Sequence, residues 1–439
     1  NLKTKKVALV THGDEDRSRG GPSVRVPKTV ENLKVQEIQA QYISTTSNFI
    51  PSELADNDIV HIFNVWPPDS ALNVIKWAKR NKKYVVLSSI FLNLDENQIF
   101  SSKIIKIFEE ETNPEKINKE LAKLRFGETI ELEQGKDRNF VEPRPGYFAK
   151  VKRMIKLADR VIFLSENEQK SLESIGAIPK ASSIVNNPVD SSLFSNVDAE
   201  LFSKTYNIRN YVLCVARIEP RKNQLMLVYA LRELDIPIVL IGSCLGKRYL
   251  NLIKTHAGKN LKIIDGLPPN SQILASAYAG ARVFALPSWS EGASLAALEA
   301  AAAGTNLVLS NRSSEQEYFS NYAQYCDPGN PDSIRETVER AYYSSNNLEK
   351  QEKQKSYIAQ NFNWNLYAQK TIEVYQAVLK EQKISSPGSN EGIKFCEPDT
   401  IYIDLTTSAN HSGRWSGISR LEFMLAKSLF DLVPHNIRF

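Results

Sequence analysis

Apolar residues in this chain come in short unbroken runs separated by segments of helical spacing. KVALVTHG (6–13), VQEIQAQYIS, DIVHIFNV (58–65), KYVVLSSI (83–90), RVIFLS and SSIVNNPVD read as strands in the first half. YVLCVARI, IPIVLIGS, NLKIIDGLP, ARVFALPS and TNLVLS continue the pattern in the second. Helical periodicity fills the gaps: up to about Leu33, around Asp69 to Arg80, over Gly146 to Asp159, through Leu234, and in SQILASAYAG, PDSIRETVERAYYS and NFNWNLYAQKTIEVYQAVLKEQ. Apolar strands alternating with helices predict an α/β fold, parallel sheets with helices on both faces.

The alternation breaks in two places. Between about Asn93 and Val141 the pattern turns charged and irregular, which predicts an insertion with one or two exposed helices, an overhang for an acceptor or, more simply, a solvated excursion. ISSPGSNEG (384–392) has the composition of a linker. The expected organisation is a first domain over 1–190, a second over 191–365, a helix over 366–383, a linker over 384–393 and the opening of a further module over 394–439. An initial Asn and an abrupt end at Phe439 fit a fragment of a longer polypeptide.

One stretch organises the chemistry. PSWSEGASLAALEAAAAG (Pro287 to Gly304) runs from the end of an apolar strand through a polar loop into an Ala-rich helix. That order is the layout of a phosphate-facing site. The helix is expected to begin at Gly292 to Ser294 with Ser290 as cap, so that the N–H groups of Gly292, Ala293, Ser294 and Leu295 point out of its positive end. Glu291 lies at the mouth and Glu299 deeper, roughly 7–8 Å along the axis from Ser294. A ligand with a diphosphate at the mouth and a ribose beside Glu299 fits this spacing, since a carboxylate accepts paired hydrogen bonds from a diol. Two Glu eight residues apart recur by chance; the flanking strand, loop, small-residue helix and Gly stop give this pair its meaning.

Other candidates are weaker singly. Arg217 and Lys222 bracket the loop EPRKNQ, where an Arg fork and a Lys charge suit phosphate oxygens. Gly20 and Gly21 precede a helix and allow close backbone approach to a ligand or phosphate, or serve as an ordinary turn. His12 ends the first strand and is a candidate to face a cleft; His61, inside an apolar strand, reads as a satisfied core histidine. Asp14-Glu15-Asp16 matches a D-x-D metal motif only superficially. The basic helix 146–159, with Lys150, Lys152, Arg153 and Lys156, is either a solvated face or a contact for a membrane surface or anionic lipid.

Composition narrows the classes. With 439 residues, about two or three domains fit, and 42% hydrophobic residues supply a core. A net charge of +5 suits anionic ligands without the dense basic stripe of a nucleic-acid binder. Cys214, Cys244, Cys326 and Cys396 are far apart, with neither zinc spacing nor a disulfide framework. No apolar run approaches the ~18 residues of a membrane span, so a reducing cytoplasm is the expected compartment, with peripheral contact at the inner membrane face through the basic helix. Gly242-x-x-x-Gly246-Lys247 is one residue short of a P-loop and lacks its Ser/Thr, and no G-x-G-x-x-G follows a strand. An ATPase and an NAD enzyme are thereby disfavoured.

The pattern of residues 6–382, strongest from Arg217 to Gly304, resembles the retaining GT-B glycosyltransferases of family four. The resemblance implies two Rossmann-like domains facing a cleft, with the C-terminal helix crossing back to the first domain after Trp364. It implies a nucleotide-sugar donor, with Glu291 on the sugar, Glu299 on the ribose, and Arg217 and Lys222 on the diphosphate. It further implies transfer to a glycan or lipid-linked acceptor with retained configuration, no metal or other cofactor, and a place in bacterial polysaccharide synthesis. Two departures stand out. Ser88 and Ser89 occupy the place where many members carry a His near the donor sugar, leaving His12 as a substitute; Asn187-Pro188 replaces the commoner Asn-Gly. A nucleotide-sugar epimerase or hydrolase on the same fold, and a non-catalytic donor-binding protein, remain the alternatives.

Overall fold

The apolar runs become strands, and the central ones are covered on both faces. The computed structural model describes residues 2–13, 21–46, 49–124, 142–195, 197–244, 246–344, 347–384, 401–402 and 437–438. The first sheet is parallel, in the order β2-β1-β3-β4-β5-β6: β1 (Lys6–His12), β2 (Gln39–Thr45), β3 (Ile59–Phe63), β4 (Tyr84–Ser88), β5 (Arg160–Phe163) and β6 (Ser182–Ile184). Its helices are α1 (Gly21–Val35), α2 (Pro68–Arg80), α3 (Asp95–Glu110), α4 (Pro114–Ala122), α5 (Tyr147–Leu157) and α6 (Glu166–Ser174). Helix α5 turns its apolar side, Tyr147, Val151, Met154 and Ile155, into the core, and Lys150 pairs with Asp69 of α2.

The second sheet is also parallel, in the order β12-β11-β10-β7-β8-β9. Short helices α7 (Ser192–Ser195) and α8 (Glu200–Tyr206) lead into β7 (Val212–Val215), α9 (Gln224–Ala230), β8 (Ile238–Ile241), α10 (Lys247–His256) and β9 (Leu261–Ile264). Then come α11 (Gln272–Ala279), β10 (Val283–Leu286), α12 (Leu295–Ala302), β11 (Asn306–Ser310), α13 (Glu315–Phe319), β12 (Ala323–Cys326), α14 (Pro331–Tyr343) and α15 (Leu348–Asn361). Both sheets reverse their winding at an inner pair, β1/β3 and β7/β10. There the outgoing loops diverge and leave a crevice beyond the carboxyl ends of the strands. His12 ends β1, Arg217 to Lys222 follow β7, and Glu291 follows β10, so the candidate residues gather at these two points.

The last helix, α16 (Trp364–Ile384), returns to the first domain. Tyr367, Ala368, Val374, Tyr375 and Val378 join the cluster of Val7, Leu9, Ile59 and Phe63. The Tyr375 hydroxyl lies 2.8 Å from His61 Nδ1, and His61 Nε2 lies 2.9 Å from Ser88 Oγ. His61 is thus a satisfied core histidine, as expected.

The insertion differs from its expectation. Helices α3 and α4 are exposed on one side only and are not a solvated excursion. Phe100, Ile104, Phe108, Ile117 and Leu121 are buried in one cluster with the second domain's core. Phe108 packs edge-on against Tyr229 and His256, with His256 Nε2 2.7 Å from the Phe108 carbonyl. The Tyr229 hydroxyl reaches Asn118 Oδ1 at 2.8 Å. Phe100, Ile104 and Phe108, four apart, form the apolar stripe that docks, and Glu96 continues the same row to pair with Arg312 of the second domain.

Residues 383–439 form a separate compact unit. Its described strands, Ile401–Tyr402 and Ile437–Arg438, pair in parallel. The remainder of the expected linker and strand-loop-helix module, Cys396 included, lies outside the described residues.

Candidate functional site

The helix after β10 starts later than the sequence suggests. Ser294, with extended backbone, caps α12: its Oγ accepts from Ala297 N at 3.2 Å. Ser290 does not cap; its carbonyl accepts from Arg221 Nη1 at 2.7 Å. Gly292 and Ala293 therefore belong to the loop, and the first-turn amides without an intrahelical acceptor by position are those of Leu295 and Ala296. Gly292 is pressed against the first domain: a Cβ there would sit 3.4 Å from Leu92 and 3.6 Å from Leu164. The Ala293 carbonyl accepts from Asn187 Nδ2 at 3.2 Å, and Asn187 Oδ1 accepts from Arg25 of α1. The mouth of α12 thus lies where the two domains meet.

The loop after β7 brings cations to this mouth. Pro220–Lys222 form one tight helical turn that ends at Asn223, held at φ +61°. Asn223 Nδ2 donates to the carbonyls of Pro287 and Pro328 at 3.0 and 2.8 Å, tying together the loops after β7, β10 and β12. Lys222 Nζ lies 2.5 Å from Glu291 Oε1, with the two side chains 13% and 8% exposed. Burial pushes the Glu291 carboxyl up, and Lys222 with Arg221 outweighs it, so its pKa is lowered. Burial also lowers the Lys222 ammonium, which Glu291 only partly offsets. Arg217 is looser: it lies 3.7 Å from Glu219 and its side chain is 39% exposed.

Glu299 points from the middle of α12 to the Tyr278 hydroxyl, which donates to Oε2 at 2.7 Å. Burial pushes its carboxyl up to about 7, against the pull of Tyr278 and of Lys28 on α1. Glu291 and Glu299 therefore carry different charge states near neutrality, one ion-paired and the other poised to take up or lose a proton.

The first-domain candidates divide. His12 does not face a cleft. It is fully buried, with Nδ1 2.8 Å from Ser70 Oγ and Nε2 2.7 Å from the Asn64 carbonyl. Burial lowers its pKa to about 4. A neutral ring donating from Nε2 and accepting at Nδ1 satisfies both contacts. Ser88 is engaged by His61, and Ser89 Oγ donates to the buried carboxylate of Glu168 at 2.5 Å. Gly21 opens α1; Gly20 and Asp14 to Asp16 lie outside the described residues. Among the described residues no group of three or more His, Cys, Asp or Glu is arranged to hold a metal ion. None of their helices is long and apolar enough to cross a membrane.

Several residues of the site were not singled out from sequence. Arg221 bridges the two loops, donating to Ser290 O and, through Nη2, to Glu219 at 2.8 Å, while also lying 3.4 Å from Glu291. From the first domain, Glu96 of α3 receives Arg312 Nε at 3.1 Å, and Arg312 also donates to Asp327 at 3.1 Å. Glu315 is buried at the first position of α13, and in the loop before it Ser313 Oγ accepts from Glu291 N at 3.0 Å. Nothing in composition separates Arg221 or Glu315 from other charged loop residues; only the i, i+4 apolar stripe of α3 was a usable signal.

Comparison with known proteins agrees with this layout. Residues 199–361 match the family model of glycosyl transferases group 1. A D-inositol 3-phosphate glycosyltransferase of Mycobacteroides abscessus is 32% identical over 164 residues, 34% of this chain and 36% of that protein. An uncharacterised glycosyltransferase of Methanocaldococcus jannaschii is 28% identical over 182 residues, 38% of this chain and 45% of that protein. The match thus spans less than half the length of these curated relatives. Among solved structures, sucrose-phosphate synthase from Thermosynechococcus elongatus superposes with a TM-score of 0.63 at 15% identity, covering 86% of this chain and 100% of that one. HepE from Anabaena, in complex with UDP and glucose, gives 0.60 at 12% identity, covering 85% and 100%. Two six-stranded parallel sheets with flanking helices make this a GT-B fold, and its second domain, over residues 199–361, is similar to the glycosyl transferases group 1.

Proposed function

We propose that this chain transfers a hexosyl group from a nucleotide-sugar to a glycan or lipid-linked acceptor, with retention of configuration and without a metal. The observation that carries the reading is the Lys222–Glu291 pair at the mouth of α12, with Glu299 one and a half turns further in. In the proposed mechanism the incoming diphosphate replaces Glu291 as the partner of Lys222 and is also met by Arg217 and the first-turn amides of α12. Glu291, released, turns to the donor sugar, while Glu299 accepts hydrogen bonds from the ribose in place of the one from Tyr278. Stabilising the departing diphosphate is then mainly electrostatic. A role in bacterial polysaccharide synthesis, in the cytoplasm with peripheral contact at the membrane through α5, completes the proposal.

The test is a thermal-shift panel of UDP-, GDP-, ADP- and dTDP-sugars, followed by product analysis with the sugar that binds. Ligand binding to the native state raises stability by RT ln(1 + [L]/Kd). Glycoside of retained configuration is the expected product. Free sugar or an epimerised nucleotide-sugar alone would replace transfer with hydrolysis or epimerisation. A second reading, donor binding without turnover, is favoured by one observation: His12 is buried with both nitrogens engaged, and Ser88 and Ser89 are tied to His61 and Glu168. Saturable donor binding with no product from any acceptor would select it.

A further inference from the structure

Helix α13 is held at the junction of the domains by nearly every side chain around its start. Ser313 Oγ accepts from the Glu291 amide at 3.0 Å. Ser314 Oγ lies 2.8 Å from Ser165 Oγ of the first domain. Glu317 accepts from the amides of Glu166 and Asn167, both at 2.7 Å, and the Tyr318 hydroxyl donates to the Leu164 carbonyl at 2.7 Å. Glu315 is the exception. Its side chain is set among these anchored neighbours and only 2% exposed, yet neither carboxyl oxygen makes a well-formed hydrogen bond; its own amide and the Ser313 hydroxyl, which already accepts from Glu291 N, lie near it. A buried polar group left unpaired is costly and calls for an explanation.

The groups that act on this carboxyl are those of the site. Burial raises its pKa and Glu291 raises it further, while its own backbone amide, Lys222 and Ser313 pull it down, with a net value of about 8. Tyr325 of β12 also feels its charge. Below that pH the carboxyl is a neutral acid with one O–H donor; above it, the charge repels anything anionic that arrives beside Lys222.

We infer, resting on the donor-site reading above, that Glu315 is a third carboxyl of the site and donates a hydrogen bond, as the neutral acid, to a phosphate oxygen of a bound nucleoside diphosphate. The proton remains on Glu315, and no covalent step is involved. Nucleotide binding is then proton-linked, and a neutral amide at this position preserves it where the wild type loses it.

Titration calorimetry of the full chain with UDP, GDP and ADP tests this between pH 7.5 and 9.5, where the terminal phosphate, with a second pKa of about 6, is already ionised. Wild-type affinity should fall at least about tenfold over that range, part of it from Lys222. Glu315→Gln, nearly isosteric, should fall distinctly less, and Glu315→Ala should bind more weakly at pH 7.5 with the same shallow dependence. Thermal melts report whether each variant is folded. An equal pH slope in wild type and Glu315→Gln, or unchanged affinity in Glu315→Ala at pH 7.5, overturns the inference alone. Failure of all three nucleotides to bind the wild type overturns the donor-site reading, and the inference with it.

Discussion

Phe100, on a helix inserted into the first domain, stacks on Trp289 of the second, with ring centroids 6.2 Å and planes 30° apart. Trp289 stands two residues before Glu291, and its amide donates to the Arg221 carbonyl at 2.9 Å. The insertion therefore touches the backbone that carries both the acid and the cations of the site. Phe108 and the Glu96–Arg312 pair extend the same contact to α10 and to the loop after β11. The domains also meet at Ala293 and along α13; the insertion adds a further contact that restrains hinging between them.

Phe108→Ala should accordingly destabilise the protein by about 3–5 kcal/mol, as large-to-small changes at buried aromatics do. It should also raise hydrogen exchange in α9 and α10, the elements it covers. Protection lost only within α3 and α4 would mean that the arm merely rests on the second domain.

Glu299 titrates near neutrality, and this makes a signed prediction. Its native carboxyl, raised to about 7, holds a proton that the unfolded chain releases at its ordinary value of 4.5. The native state gains no penalty below pH 4.5 and loses stability as pH rises toward 7, after which the loss is constant. Glu299→Gln does not titrate, so its melting temperature should exceed that of wild type by a margin that grows from pH 4.5 to 7 and then levels off. The full difference is on the order of 3 kcal/mol. The same variant should bind nucleotide-sugar more weakly, by about 1.5–3 kcal/mol. A pH-independent difference in melting would remove burial as the cause.

The strands were legible because burial on both faces leaves unbroken apolar runs such as VVLS and VFAL, which no helix of that length needs. The cap was misplaced because Ser290 and Ser294 both precede the Ala-rich run, and the choice depends on the Arg221 contact to Ser290 O, which is 69 residues distant in sequence. His12 is buried where the sequence offers it to a cleft for a related reason: in a strand buried on both sides, alternation does not say which face meets a cleft. The charges of α3 hid a stripe at 100, 104 and 108 that only a partner surface makes visible. Glu315 follows from burial alone, and local sequence carries no record of that.

Activity, once measured, should survive EDTA. Positive groups already surround the mouth of α12: Lys222, Arg221, Arg217 and the first-turn amides. Complete loss on chelation, restored by Mg²⁺ or Mn²⁺, would require a metal at the leaving diphosphate and would direct attention to Asp14 to Asp16.

Arg217 and Lys222 are both expected to hold phosphate, but their removal should have unlike consequences. Arg217 is partly exposed and loosely paired, so Arg217→Ala should leave melting within about 0.5 kcal/mol of wild type. Its effect should fall on ligand binding, weakening a nucleoside diphosphate more than the nucleoside, which has no phosphate charge to lose. Lys222→Ala leaves the buried Glu291 carboxylate without its 2.5 Å partner. Breaking a buried pair from one side costs about 3–5 kcal/mol, reduced here because Arg221 still faces Glu291 at 3.4 Å. Lys222→Met with Glu291→Gln removes both charges and should recover most of that stability while leaving diphosphate binding impaired. Calorimetry with diphosphate and nucleoside, alongside thermal melts of the three variants, separates the two effects. If the double variant regains diphosphate affinity along with stability, Lys222 supports the loop and does not bind the ligand.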